Sequence, residues 1–329
     1  MNVLVRHPLM RPIAALAVLL LFDLLAIPGF FDITVRDGHL YGSLVDILNR
    51  AAPLMLAALG MTLVIATRGI DISVGAVVAL SGTVAAMLVG GASDAQMPLL
   101  LAMAAAMGAA LLCGLWNGVL VAGLGLQPIV ATLILMVAGR GVAQLLTDGQ
   151  IVTVYHAPYF FLGGGHFAGL PFSLTVVAIV FAATALMMRR TALGLFIQAV
   201  GINPVAARLA GLRTATLTVF VYVFCAGCAG LAGLMVSSNI KSADANNAGL
   251  LLELDAILAV TLGGTSLAGG KFSLAGSMIG ALIIQTLTFT IYSLGVPPEV
   301  NMVVKALVVF VVCLSQSAQF RQLFARRPA

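Results

Sequence analysis

The sequence predicts an all-α polytopic membrane protein: about ten transmembrane helices in two pseudo-symmetric halves, with cytoplasmic N- and C-termini. Three observations predict it. Of 329 residues, 61% are hydrophobic and only 8% are charged, and the mean hydropathy is +1.14; a soluble domain carries about 25% charged residues. Apolar runs recur at lengths that fit helices of about 20 residues, enough to span a bilayer. Basic residues fall between those runs with a one-sided bias. A soluble enzyme, a secreted disulfide scaffold, a collagen-like fibre and a disordered tail are excluded.

The first run, 13–31, is too long for a signal-peptide core and lacks a convincing cleavage site, so it reads as a retained span. Runs at 51–67 and 74–90 follow, the second of them short. Next come 98–121, whose glycines and alanines blur its ends, and 128–147. After a long loop the chain continues with 172–188, 214–237, a short run at 250–263, then 273–293 and 300–315. The whole chain, 1–329, reads as a single transmembrane domain.

Charge placement tests the count. With the N-terminus inside, eleven bases face the cytoplasm: Arg6, Arg11, Arg68, Arg189, Arg190, Arg208, Arg213, Lys271, Arg321, Arg326 and Arg327. Only Arg36 and Lys241 face out, the bias that the positive-inside rule requires. An odd number of spans destroys the pattern, whereas eight preserve it if two short runs are re-entrant. The same bases stand singly or in pairs, which leaves no basic stripe for nucleic acid.

Two loops stand out by length. Residues 148–171 are rich in glycine and aromatics. Residues 189–213 form the most basic loop, and a short helix is written into it. Asn203 suits the N-cap, Pro204 the first helical position and Gly211 a left-handed C-terminal cap. That loop reads equally as a cytoplasmic docking element or as a stiff connector. Residues 67–82 can also be laid on 261–276 without a gap, with five identities, which suggests repeats at about 41–171 and 214–315.

No catalytic constellation emerges. GGTSLAGGKF at 263–272 resembles a phosphate-binding loop, but Thr265 and Phe272 stand where it needs Gly and Ser or Thr. Neither an HExxH nor a GxSxG motif occurs, and no metal-ligand cluster is seen. Cys225 and Cys228 lie in an apolar run and read as packing residues, as do the small-residue pairs Ala226/Gly230 and Gly276/Gly280. The four histidines read as surface residues.

The informative polar residues lie in or beside spans: Asp23, Arg50, Arg140, Glu253, Asp255 and Lys305. Each charge costs roughly 2.5–3.5 kcal/mol at mid-bilayer, so each is expected to face the bundle interior, a partner charge or water. Thr132, Met136, Arg140 and Gln144 share one helix face, and the last two offer donors to a polyol. The alternative pairs Arg140 with Glu253 or Asp255 as a strut. Asp244, Asn246 and Asn247 stand at the mouth of the 250–263 run, either as turn formers or as a pore entrance.

GMTLVIATRGIDISVGAVVALSG at 60–82, GINPVAARLAGL at 201–212 and ELDAILAVTLGGTSLAGGKFSLAGS at 253–277 resemble the permease subunits of bacterial sugar ABC importers, within the ribose and branched-chain amino acid permease superfamily. The likeness runs over most of the chain. Segments 37–53, 127–153, 243–260 and 297–309 resemble the galactofuranose permeases in particular. The resemblance implies a multi-pass inner-membrane permease that admits a monosaccharide, galactofuranose or a similar furanose or pentose, by alternating access. Within the same superfamily, ribose, another sugar or branched-chain amino acids are alternative solutes; an ion-coupled secondary transporter is a more distant alternative.

It also implies partners: a cytoplasmic ABC ATPase that holds ATP and Mg, a periplasmic sugar-binding protein, and a second permease, expected to be a different chain. The permease itself is then non-catalytic and carries no cofactor or metal. By the same resemblance Asn203, Pro204, Arg208 and Gly211, within the segment 189–213, seat a coupling helix on the ATPase. Arg140, Gln144, Asn246, Asn247, Glu253 and Asp255 are the expected wall of the translocation pathway.

Overall fold

A computed structural model describes residues 9–36, 38–90, 97–297, 300, 302–304, 306, 307 and 310. The expected span at 300–315 falls largely outside these residues, as do both chain termini, Lys305 and Cys313.

The described chain is a helical bundle. Its main helices are α1 (Met10–Ala26), α2 (Ser43–Ala66), α3 (Val74–Gly90), α4 (Leu99–Ala122), α5 (Pro128–Leu146), α6 (Ala157–Gly164), α7 (Phe172–Arg190), α8 (Leu193–Ile202), α9 (Pro204–Leu209), α10 (Thr214–Ile240), α11 (Leu252–Leu262) and α12 (Leu274–Ser293). Among the described residues, six are long and apolar enough to cross a bilayer: α2, α4, α5, α7, α10 and α12. α1 and α3 are shorter, at 17 residues each.

Short two-stranded pairings close one end of the bundle. β1 (Thr34–Arg36) pairs with β2 (His39–Tyr41), β4 (His166–Phe167) with β5 (Leu170–Pro171), and β3 (Val152–Thr153) with β6 (Ser242–Ala243), all antiparallel. The Leu40 N–H donates to Gly169 O at 2.9 Å and ties the first two pairings together. This is the hairpin end. The opposite end gathers the α2–α3 loop, the α8–α9 bracket and the α11–α12 loop.

α10 and α2 form the centre, and their close packing depends on small residues. A Cβ at Gly60 of α2 would lie 2.8 Å from Cys225 Cα of α10, and one at Gly233 of α10 would strike the Val78 carbonyl of α3. Side-chain-free contacts of this kind let helix backbones approach where lipid gives no hydrophobic drive. Cys225 and Cys228 are buried free thiols in this contact. Gly230 packs on Ala110 of α4, and Gly276 and Gly280 on the backbones of Gly263 and Ala259, so both small-residue pairs make helix crossings.

The two short runs have a specific geometry. α11 has 11 residues, a rise of about 16 Å against a hydrocarbon core of about 30 Å. The non-helical loop 244–251 precedes it. α3 also begins within the bundle, since Ala76 near its start faces Gly139, well along α5. A Cβ at Gly75 would strike Glu253 Oε2 and Gly249 O, so the first turns of α3 and α11 meet at that depth. The segments laid on each other above also touch: Arg68 Nε donates to Ala268 O at 3.0 Å.

Candidate functional site

Where α3 and α11 break, backbone polar groups lose their helical partners inside the bundle. Such backbone persists only if protein groups or water satisfy it. In the loop 244–251 the Asp244 carboxylate accepts from the N–H groups of Asn246 (3.1 Å) and Asn247 (3.0 Å), an Asx turn that folds the loop back on itself. The loop's carbonyls then point at α5. Arg140 donates through Nη1 to the carbonyls of Ala245 (3.2 Å), Asn246 (2.9 Å) and Ala248 (3.2 Å). One turn on, Gln144 Nε2 donates to Asn246 Oδ1 at 2.8 Å, and Asn246 Nδ2 donates to Gly149 O at 3.1 Å.

The Arg140 hydrogen bonds go to the loop carbonyls, a role neither sequence reading named, and its charge also acts on the nearby Glu253 carboxylate. Glu253 is buried against the first turn of α3, with Oε2 lacking a hydrogen-bond partner among the described residues. A carboxylate there meets the positive end of the α3 dipole. Asp255 is half-buried in the first turn of α11, while Asn247 is exposed beside Leu250, Leu251 and Leu254. Thus Arg140, Gln144, Asn246 and the backbone around Glu253 are brought together, with Asn247 at the edge.

The residues on the shared α5 face divide by task. Thr132 Oγ1 accepts from Ile72 N–H at 3.2 Å and holds the α2–α3 loop, whereas Arg140 and Gln144 hold the loop before α11. The α2–α3 loop also contains a constellation that the sequence reading overlooked. Asp71 is 1% exposed; its Oδ1 accepts from Ser73 N–H (2.9 Å) and Ser73 Oγ (2.6 Å), and Asn117 Nδ2 of α4 donates to Ser73 Oγ at 2.9 Å. Asn117, the lone amide in an otherwise apolar run, was the available signal.

Two other span charges serve elsewhere. The Asp23 carboxylate in α1 accepts from Thr290 of α12 at 2.6 Å, and Arg50 pairs with Asp46 at 2.8 Å, half-exposed on the first turns of α2. A cavity of about 530 Å³ opens beside that pair at the hairpin end, lined by Asn49, Asn239, Gln285, Thr288 and Tyr292 among others.

At the opposite end the bracket folds as its residues predict, with α8 preceding the expected short helix. Asn203 Oδ1 accepts from Val205 N–H and Ala206 N–H, both at 3.0 Å; Pro204 opens α9, and Gly211 has φ +87°. Leu209 is 84% exposed and Val205 67%, on either side of the exposed Arg208, so an apolar patch with a basic centre projects from the bundle. A cavity of about 240 Å³ runs from Pro204 and Arg208 inward to Tyr222. The glycines of the loop 263–273 serve turning: Gly264, Gly269 and Gly270 all have positive φ.

Residues 43–313 match the family described as branched-chain amino acid transport system / permease component. The chain is 53% identical over 315 residues to the galactofuranose transporter permease protein YtfT of Escherichia coli, covering 95% of this chain and 91% of that protein. It is 39% identical over 294 residues to the fructose import permease protein FruF of Bifidobacterium longum, covering 88% and 82%. To the ribose import permease protein RbsC of Escherichia coli it is 39% identical over 308 residues, covering 92% of each.

Proposed function

The chain belongs to the branched-chain amino acid transport system / permease component family, and from that premise we propose that it is the permease subunit of an ATP-driven importer moving a monosaccharide, galactofuranose or a similar furanose, from periplasm to cytoplasm. It is a multi-pass membrane protein, and its reading as an inner-membrane permease with ten spans and cytoplasmic termini rests on charge. Arg68, Arg189, Arg190, Arg208, Arg213 and Lys271 all lie at the bracket end, which is therefore the cytoplasmic one.

One observation carries the division of labour: the exposed Val205, Arg208 and Leu209 on a capped helix outside the bundle. An apolar patch there is costly in water, and among the described residues no helix covers it. A cytoplasmic ABC ATPase, bearing ATP and Mg, is the occupant that the family supplies, with Asn203, Pro204 and Gly211 fixing the helix that enters it. A periplasmic binding protein and a second permease, a different chain, complete the machine.

The pathway is assigned to the α5 side of the loop 244–255, walled by Arg140, Gln144, Asn246, Asn247, Glu253 and Asp255. An exposed Asn247 beside a polar, non-helical loop suits water or a second permease and is a poor surface for lipid. Affinity resides in the binding protein, so these residues shape a weakly binding passage. The test is uptake into proteoliposomes holding the permease pair, ATPase and binding protein. ATP-dependent accumulation of the monosaccharide supports the reading; uptake by this chain alone, driven by a proton gradient, refutes it.

A further inference from the structure

Three chain segments that are far apart in sequence converge on Arg68. This residue follows the end of α2 with φ +64°, an uncommon conformation for a side chain larger than glycine, and it aims the guanidinium back across the cytoplasmic end of the bundle. Nη2 donates to Ile202 O at 2.5 Å and Nε donates to Ala268 O at 3.0 Å. Ile202 is the last residue of α8, so its carbonyl is one of the acceptors a helix leaves unpaired at its C-terminus. A cation is the favoured partner there.

The same junction is locked by backbone contacts. Gly270 N–H donates to Ala66 O, the last carbonyl of α2, at 2.9 Å. A Cβ at Gly201 would strike both Ala66 O and Gly270 N, so the end of α8 sits directly on this hydrogen bond. Gly269 leaves room for the Arg68 stem, since a Cβ there would lie 2.5 Å from Arg68 Cγ. The bracket, the α2–α3 loop and the α11–α12 loop thus share one clasp. Beyond it, α2 and α12 continue toward the hairpin end, and the α2–α3 loop leads to the depth where α3 and α11 meet.

We infer that Arg68 is a positioning residue that transmits movement of the α8–α9 bracket to the α2–α3 and α11–α12 loops. The inference rests on the proposed docking of α9 to an ATPase and adds the route by which a push there reaches the membrane helices. A planar guanidinium with several donors reaches two carbonyls at once, which a lysine ammonium on a flexible stem does less well.

The test uses the assembled importer, with ATPase and binding protein, in proteoliposomes. Arg68→Ala is expected to leave ATPase association intact while lowering binding-protein-stimulated ATP hydrolysis and sugar uptake at least tenfold; Arg68→Lys should recover part of both. Gly201→Ala attacks the clasp from the other side, leaves Arg68 in place and should uncouple in the same way. Where Arg68→Ala does not assemble, Arg68→Lys and Gly201→Ala carry the test, and wild-type stimulation in both overturns the inference. Wild-type coupling in Arg68→Ala overturns it as well. If the unmodified permease neither binds the ATPase nor shows stimulated hydrolysis, the docking reading itself fails, and the transmission route fails with it.

Discussion

Replacing Arg140 with alanine should release the loop 244–251 while leaving the bundle folded. Nη1 lies 2.9–3.2 Å from three carbonyls, but one amino group carries two hydrogens, so the contact amounts to about two full hydrogen bonds shared among three acceptors. Hydrogen bonds to a charged group contribute about 1.5–3 kcal/mol each. Water replaces part of this because the guanidinium is only half-buried. A loss of about 2–4 kcal/mol therefore falls on the loop alone, a roughly 30- to 700-fold shift toward its open form at about 1.4 kcal/mol per tenfold. Hydrogen exchange read by mass spectrometry on the lipid-embedded protein measures it. Peptides covering Asn246, Asn247 and Ala248 should exchange faster by that factor, and those from the centre of α10 should not change. Gln144→Ala, which removes one neutral hydrogen bond of 2.8 Å, should cost about 1 kcal/mol, close to fivefold. Wild-type protection of the loop in Arg140→Ala would refute the bracing role; full protection with lost uptake would make Arg140 a direct contact of the sugar.

Gly75→Ala should lower the thermal unfolding temperature, because the new methyl strikes Glu253 Oε2 and Gly249 O where α3 and α11 meet; overpacking of this kind costs about 1–3 kcal/mol. Gly139→Ala is the control, since its methyl finds Ala76 Cβ at 3.5 Å, an ordinary contact, and its unfolding temperature should match that of the wild type. Asn203→Ala should fray α9 at a cost of about 1 kcal/mol and reduce stimulated ATP hydrolysis without altering insertion, as the Val205 and Ala206 N–H groups lose their acceptor. At the hairpin end, His166 stacks on His39 with ring centroids 4.4 Å apart; burial, and then the His39 charge, hold its imidazole below the ordinary value. A depressed histidine is neutral in both folded and unfolded states above about pH 7, and protonation penalises the folded state as pH falls through about 6.5 and lower. Protection factors at Leu40 and Phe172, corrected for intrinsic exchange, should fall over that window, and His166→Asn should flatten the profile.

The parts of the molecule that were legible in the sequence are those whose cause is local. Apolar runs gave α1 to α5, α7, α10 and α12 to within a few residues over most of their ends, because the demand for a continuous apolar helix is written in consecutive residues. α2 is the exception: it starts at Ser43 rather than near 51, since its first two turns project polar Asp46, Asn49 and Arg50 into the hairpin-end cavity and fall outside any hydropathy window. The α9 caps were equally legible, because Asn203, Pro204 and Gly211 each satisfy or terminate the backbone beside them. The Asp71–Ser73–Asn117 cluster was not, because Asn117 joins it from another helix and nothing near Asn117 in sequence announces the partner.

The treatment of span charges shows why the site in particular resisted a reading by residue type. Matching a buried cation with a buried carboxylate assumes that side chains are the main source of unsatisfied polarity. That holds while every helix runs through; it fails where helices stop inside the bundle, because each broken end exposes up to four carbonyls or N–H groups that lipid cannot serve. The α11 break sets the Ala245, Asn246 and Ala248 carbonyls before Arg140, and the ends of α8 and α2 set the Ile202 and Ala66 carbonyls before Arg68 and Gly270. Each arginine faces main-chain acceptors, and a carboxylate in its place would leave those acceptors unpaired. Glu253 follows the same rule with the sign reversed, its carboxylate set against the first turn of α3, where N–H groups lack partners. Arg140 thus marks a helix break on its neighbour and Glu253 a helix start, whereas Asp23 and Arg50 answer to the side chains of Thr290 and Asp46.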